Sequence, residues 1–99
     1  MNENRGTGIT EEEVRAVLVS WLENPFWREY YELAPSEACR QLVTLEFLYS
    51  EYETEEICLA MDAVEEELAL ADWQHLYRYC GINPRRKKIH DRIIALGGD

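Results

Sequence analysis

An acidic stretch, residues 41–77, places the strongest constraint on how this chain can fold. It contains ten Asp or Glu residues and neither Lys nor Arg. Its second half carries an apolar series with spacings of four, three and four residues, which returns to one side of a 3.6-residue helix. The series consists of Ile57, Met61, Val64 and Leu68. We therefore predict a helix from Thr54 to about Leu70, with this series facing inward and the acids on its other faces. A break at residues 53–54 would separate it from the preceding helix, and a continuous kinked helix is the alternative.

Capping signals divide the rest of the chain into short helices. Thr10 and Glu13 have the spacing of a capping box, and Ser36 and Thr54 are suitable N-caps. Two Asn-Pro pairs, at residues 24–25 and 83–84, combine an N-cap with proline at the first helical position. The helix after Ser36 is apolar around much of its circumference, which is typical of a central helix.

The remaining boundaries complete the predicted architecture. Asp72 is expected to cap a short aromatic helix that ends at Gly81, and Gly97 with Gly98 should end the last helix. The last helix carries Ile89, Ile93 and Leu96 on its apolar side. No strand pattern is present, so the prediction is an all-α fold, a compact bundle of five or six short helices. Residues 1–9 are expected to form a flexible N-terminal tail and residues 10–99 a single helical domain.

The charge distribution narrows the classes of partner. The 99 residues carry a formal charge of −10. Residues 1–84 hold 18 acids against 5 bases, whereas residues 85–99 hold 5 bases against 2 acids. Such an acidic body repels nucleic acid and anionic membranes and attracts basic surfaces. No apolar run approaches the roughly 20 residues that span a bilayer, and residues 1–8 lack the apolar core of a signal peptide. We expect a cytoplasmic protein that binds no membrane.

The residues that could support catalysis or metal binding form no complete pattern. Asp72 and His75 stand three apart, but carboxylate-bridged metal sites in helical bundles need two such pairs and further acids. The three cysteines are 19 and 22 residues apart and are expected to be buried free thiols. His90 lies among charged residues and is expected to be solvated. The sequence therefore predicts no catalytic residue, no metal site and no cofactor, and a protein that is not an enzyme.

A cluster of basic residues near the C-terminus allows two interpretations. Its members are Arg85, Arg86, Lys87, Lys88 and Arg92. They could neutralise the acidic stretch within the molecule, or they could contact nucleic acid or an acidic partner. Positive charges at a helix N-terminus oppose the helix dipole unless acids lie nearby. The intramolecular interpretation is the simpler one, because the rest of the chain is strongly acidic.

The acidic stretch itself is the main candidate site. Surface helices commonly place Lys four residues from Glu, because each pair adds a few tenths of a kcal/mol. Such pairs are absent here, and carboxylates one turn apart stand about 5 to 6 Å from each other, comparable to the phosphates of a nucleic acid strand. We predict a partner-binding surface with Trp27 as an aromatic anchor. The predicted members are Glu51, Glu55, Asp62, Glu65, Glu66, Asp72 and Trp27. A solvated face that only confers solubility is the competing explanation.

The leading functional hypothesis is an acidic regulator or inhibitor that docks on the basic, nucleic-acid-binding surface of a protein partner. Small proteins with which phages and mobile elements block host nucleases share this size and charge, although no motif supports the analogy. One alternative is a small nucleic-acid-associated protein that uses the basic C-terminal helix. Another is a component of a helical homo-oligomer that uses the apolar series of the acidic helix.

Overall fold

Six helices account for most of the residues that the structure describes. The computed structural model describes residues 8–80 and 85–98, apart from the side chain of Arg85. The helices are α1 (Glu11–Leu22), α2 (Pro25–Glu32), α3 (Glu37–Tyr52), α4 (Glu55–Glu65), α5 (Leu70–Cys80) and α6 (Arg85–Ala95). No strand occurs in the described ranges, so the predicted all-α bundle of five or six short helices is confirmed.

The predicted caps set the starts of the first four helices. Thr10 and Glu13 form both hydrogen bonds of a capping box. The Asn24 side chain accepts from the Phe26 amide, with Pro25 as the first residue of α2. Ser36 and Thr54 cap α3 and α4 in the same way. Each cap satisfies an amide that has no partner inside the helix, which is why these local signals predicted the boundaries.

Helix α3 forms the centre of the bundle. Cys39, Leu42 and Val43 have no exposed surface, and Phe47 and Leu48 are nearly as buried. Helices α1, α2 and α4 pack against α3, while α6 packs mainly against α5. The radius of gyration is 13.2 Å, close to the roughly 13 Å of a compact chain of 100 residues. The prediction of a central helix after Ser36 is confirmed.

The boundary between α4 and α5 differs from the prediction. Helix α4 ends at Glu65 rather than near Leu70, and Leu68 is buried in the turn that follows. Helix α5 already begins at Leu70, and the Asp72 carboxylate accepts a hydrogen bond from the Ala69 amide. Asp72 is therefore the third residue of α5 and not its N-cap. Three consecutive acids at the negative end of α4 oppose its extension.

The C-terminal helix ends at the predicted glycines. Gly97 has a φ of 84°, and the amides of Gly97 and Gly98 bond to the carbonyl groups of Ile94 and Ile93. These are the two bonds of a Schellman motif. Leu96 follows the helix and is 49% exposed, so its placement on the apolar side with Ile89 and Ile93 was wrong. The predictions for residues 1–7, for Gly81 and for the cap at residues 83–84 lie outside the described residues.

Candidate protein-binding surface

Helix α4 is positioned by a tight reversal at the end of α3. Glu53 adopts the left-handed conformation with a φ of 51°, and the Thr54 hydroxyl then caps α4 by accepting from the Ile57 amide. Of the two alternatives that the sequence left open, the structure shows the break at residues 53–54 and not a continuous kinked helix. Ile57 and Val64 are buried against the core. Because these two residues hold one side of α4 inward, the opposite side faces solvent.

The solvent side of α4 and its C-cap carry three acids and one leucine in a row, which we call the outer face: Glu55, Leu59, Asp62 and Glu66. The spacing of four, three and four residues places them on one side, and all four are exposed. Leu59 is 60% exposed. Within the described part of the chain, no cation lies within ion-pair distance of the three carboxylates. The sequence-based expectation of an acidic row without basic neighbours holds for these residues.

Glu65 does not belong to the open surface. It is 6% exposed, and one of its carboxylate oxygens lies 2.9 Å from Nζ of Lys88 on α6. The predicted placement of Glu65 on an exposed acidic surface was wrong. The physical reason is a rotation of about 100° per residue, which turns Glu65 toward α6 while Glu66 stays in solvent.

Asp72 was also misplaced in the exposed set. It is 3% exposed, and its two oxygens accept hydrogen bonds of 2.9 Å from the Ser36 hydroxyl and the Ala69 amide. The Ser36 hydroxyl in turn accepts from the Cys39 amide. Asp72 thus joins the start of α5 to the start of α3, which is a structural role.

The remaining two predicted members, Glu51 and Trp27, lie beside an aromatic cluster. Glu51 is exposed and accepts a hydrogen bond of 3.2 Å from the Trp21 indole. The Trp27 ring is half-buried and meets the Trp21 and Phe47 rings at centroid distances of 5.5 and 6.0 Å. Trp27 is thus only partly exposed, and Phe26 on the same helix is more open to solvent at 48% exposed.

The basic residues of α6 are largely engaged in contacts within the fold. Arg86 donates to the Tyr77 hydroxyl at 2.8 Å and stacks on its ring, and Lys87 pairs with Asp91 at 3.0 Å. The Arg92 guanidinium lies 5.3 Å from the centroid of the Trp73 ring. The pair between Lys88 and Glu65 neutralises one carboxylate of the acidic stretch, as expected, whereas the other three contacts involve aromatic rings or an acid of α6 itself. The side chain of Arg85 lies outside the described residues.

The His75 and Cys39 side chains are buried in the core, whereas His90 is exposed, as expected. His75 is 3% exposed, and its Nε2 lies 2.7 Å from the Tyr30 carbonyl oxygen. Since a carbonyl only accepts, Nε2 carries a proton and donates it. Burial, followed by the nearby Asp72 and Glu46 carboxylates, raises the pKa of the Cys39 thiol to about 12. Cys58 and Cys80 are only half-buried, which is less than expected. Among the described residues, no group of three potential ligands could hold a metal ion.

A groove that sequence reasoning missed runs along α3, between α1 and α4. Its volume is about 440 Å³. Leu45 and Leu48 of α3 contribute to its lining, together with Ala60 and Ala63 of α4. The two alanines are the signal that could have revealed it, because they stand three apart on one side of α4 and fill little space. We call this feature the α1–α3–α4 groove.

Comparisons with known proteins add no functional assignment. No family model matches the chain, and searches of curated proteins and of solved structures found no match. Among the described helices, none combines the length and the apolar composition that a membrane span requires. The candidate surface is therefore defined by its own geometry and charge.

Proposed function

We propose that this protein is a non-enzymatic acidic binding protein, a regulator or inhibitor that docks on a basic surface of a protein partner. The surface it fits is one built from Lys and Arg to hold nucleic acid. The observation that carries the proposal is the outer face of α4, where Glu55, Asp62 and Glu66 are exposed and have no ion-pair partner among the described residues. Long-range charge attraction would make such an association fast and sensitive to salt.

The position of the acids along α4 supports binding over mere solubility. Residues 65–67 are all Glu and stand at the negative end of the helix dipole, where each anion is unfavourable by about 0.3 to 1 kcal/mol if exposed. No basic residue occurs in the last turn of α4. Solubility needs charge of either sign, and Lys at this end would supply charge and also stabilise the helix. The acids therefore lower the stability of α4. Binding to a basic partner accounts for acids at this end of the helix, whereas solubility alone does not.

The structure refines which residues belong to the proposed contact. Glu55, Asp62 and Glu66 supply the charge, and Glu51 lies close to them in sequence at the end of α3. Glu65 and Asp72 are left out because they are buried. Leu59 becomes a candidate apolar anchor, since it is 60% exposed in the middle of the acids. Trp27 is assigned a supporting role, through its ring contact with the Trp21 that bonds to Glu51.

The proposal is tested by removing charge from the outer face without changing its shape. The test variant is Glu55→Gln/Asp62→Asn/Glu66→Gln. A matched control, Glu11→Gln/Glu12→Gln/Glu23→Gln, removes the same charge from exposed positions on or next to α1. We expect capture of a protein partner from host lysate at low salt to fall by about tenfold or more for the test variant only. Equal capture by both variants, with unchanged circular dichroism, would contradict the proposal.

A second measurement addresses the nature of the partner surface. The captured partner is purified and mixed with labelled DNA or RNA, and the protein is then added at increasing concentration. We expect the nucleic acid to be displaced by the unmodified protein and by the α1 control, but not by the outer-face variant. A partner that binds no nucleic acid, or that keeps it in the presence of excess protein, would remove the nucleic-acid-binding surface from the proposal.

Direct nucleic-acid binding by α6 is the competing function. Lys87 is the most favourable residue for it, because its side chain is 85% exposed despite its pair with Asp91. The discriminating experiment is a gel shift of the full chain with DNA and RNA at low salt. We expect no shift, because the described cations of α6 are engaged with acidic or aromatic side chains of the same molecule. A shift that disappears in Lys87→Gln would favour α6 as the binding element.

A further inference from the structure

The α1–α3–α4 groove has the shape of a site for one more helix. Leu45 and Leu48 form part of its lining on α3, Leu18 lies on the α1 side, and Ala63 and Val64 lie on the α4 side. Within α4 the lining extends from Glu56 to Val64, and Glu67 in the turn after the helix adds to it. At 1.5 Å per residue the part on α4 corresponds to about 12 Å, or two turns of helix. A short helix of a partner would fit along it.

The rim of the groove is acidic. It is lined by Glu37, Glu56 and Glu67 and by no Lys or Arg of the described residues. Glu37 pairs with Arg40 at 3.4 Å. Glu56 and Glu67 are exposed, and no cation within the described residues pairs with either. An apolar interior with carboxylates at its edge selects against anionic segments and favours segments with Lys or Arg beside their apolar side chains.

We propose that this groove binds a basic amphipathic helix of the protein partner. The inference rests on the proposed function, since it names the segment of the partner that the acidic protein would hold. Apolar side chains of that helix, repeated at three- and four-residue spacing, would pack between Leu18 and Ala63, above the buried Leu48. Its flanking Lys or Arg side chains would reach Glu56 and Glu67. The same binding mode would cover Leu59, which stands beside the groove and is 60% exposed.

The arrangement of α4 makes the two proposed contacts compatible. Glu56, Ala63 and Glu67 lie toward the groove, whereas Glu55, Asp62 and Glu66 are rotated by about 100° from them and form the outer face. One partner can therefore meet both sides of α4, with its helix in the groove and its neighbouring basic surface on the outer face. The charge on the outer face supplies attraction, and the groove supplies apolar burial.

The test uses two labelled synthetic peptides of about 15 residues, enough for roughly four turns of helix. Both consist of Leu, Lys and Ala in the same proportions. In the amphipathic peptide the Leu residues repeat at three- and four-residue spacing, and in the scrambled peptide they follow no helical face. Binding to the full chain is measured by fluorescence anisotropy at low and high salt. The scrambled peptide reports attraction by charge alone, which the proposed function requires.

Ala63→Trp fills the groove from an exposed position of α4, and Ala71→Trp is the matched control at an exposed position of α5. We expect the amphipathic peptide to bind about tenfold or more tightly than the scrambled one, a difference that corresponds to about 1.4 kcal/mol. Ala63→Trp should abolish that difference and Ala71→Trp should keep it. Glu56→Gln/Glu67→Gln adds no bulk and should lower the affinity for the amphipathic peptide severalfold. This variant provides the test if Ala63→Trp fails to fold.

The possible failures can be told apart. Equal binding of both peptides, or full binding by Ala63→Trp and by Glu56→Gln/Glu67→Gln, would overturn the groove while leaving the acidic binding function intact. If neither peptide binds at low salt, both the groove and the proposed acidic binding function would be contradicted. A dimer in light scattering that becomes a monomer in Ala63→Trp would show that a second copy of the chain occupies the groove, and would also overturn the inference.

Discussion

Helices α4 and α6 have the same length of eleven residues and opposite charge, and they use their charges in opposite ways. The described cations of α6 contact acidic or aromatic side chains of the same molecule. Among the acids of α4, Glu65 alone has an ion pair within the described part of the chain, with Lys88, and the outer face is exposed to solvent. The comparison indicates that the basic helix contributes to folding, whereas the acidic helix presents a surface.

The C-terminal ends of α6 and α4 also differ in how well they stabilise their helices. Helix α6 closes with a Schellman motif at Gly97, which satisfies the last carbonyl groups. Helix α4 has Glu66 as its C-cap in the right-handed conformation, and its end carries three successive acids. One end is therefore arranged for stability, while the other opposes its own helix dipole. Four substitutions test this contrast, beginning with the largest expected effect.

Ile89→Ala should have the largest effect, because it tests whether α6 is anchored by apolar packing. Ile89 is 1% exposed. Its truncation should lower the free energy of unfolding by about 3 kcal/mol, through lost burial and the cavity left behind. The control Ile94→Ala, at a side chain that is 49% exposed, should cost less than about 1 kcal/mol. Urea unfolding followed by circular dichroism measures both. Equal losses would mean that α6 is held chiefly by its charges.

Lys88→Met should have the next largest effect on stability, because it removes the ion pair between Lys88 of α6 and Glu65 of α4. It takes a cation from the buried Glu65 carboxylate and should cost about 1 to 2 kcal/mol, less than a fully buried pair because the Lys88 side chain is 47% exposed. Lys87→Met breaks a pair that is mostly in solvent and should cost at most about 0.5 kcal/mol. Both are measured by urea unfolding, and similar small losses would contradict the structural role of Lys88.

Gly97→Ala should lower the free energy of unfolding by about 1 kcal/mol, because Gly97 has a φ of 84° that a side chain disfavours. An added Cβ would meet no atom within 4 Å, so the cost is conformational. Gly97→Asn is the control and should cost less, since Asn tolerates the left-handed region. Thermal unfolding measures the order of the two variants. A larger loss for Asn than for Ala would show that the backbone conformation is not the cause.

Asp62→Lys should have the smallest effect on stability and the opposite sign. Lys in the last turn of α4 suits the helix dipole and stands four residues before Glu66, so the free energy of unfolding should rise by about 0.5 kcal/mol. Partner binding should fall at the same time. Glu11→Lys, in the first turn of α1, makes the same charge change at the positive end of a helix and should lower stability slightly. Lower stability in Asp62→Lys would indicate that the acids of α4 contribute to folding.

The helices were predictable because their signals are local. The Thr10 box, the Asn24 cap with Pro25 and the Thr54 cap all act within one turn, and each is present in the structure. The end of α4 was not predicted, because the apolar series continues to Leu68 and the turn buries that side chain without a helix. Asp72 was wrongly predicted as the N-cap of α5. Its carboxylate bonds to Ser36, which is 36 residues away, and such a long-range contact has no local signal in the sequence.

The candidate site was predicted only in part. The sequence indicated an acidic surface, and Glu51, Glu55, Asp62 and Glu66 are exposed in the structure. The sequence did not distinguish these exposed acids from the buried Glu65 and Asp72, because all of them are Glu or Asp in the same stretch. The groove also escaped notice, because a space between three helices depends on how they pack.

The sequence by itself determined the all-α class, the N-caps of the first four helices and the sign of the charge, because these follow from composition and from interactions between residues a few positions apart. Only the tertiary structure decided which carboxylates reach solvent. Glu65 and Glu66 are adjacent, yet one meets a lysine 23 residues away and the other faces water. Burial is set by the packing of whole helices. Because neighbouring residues are rotated by about 100° around the helix axis, this packing buries Glu65 and leaves Glu66 exposed.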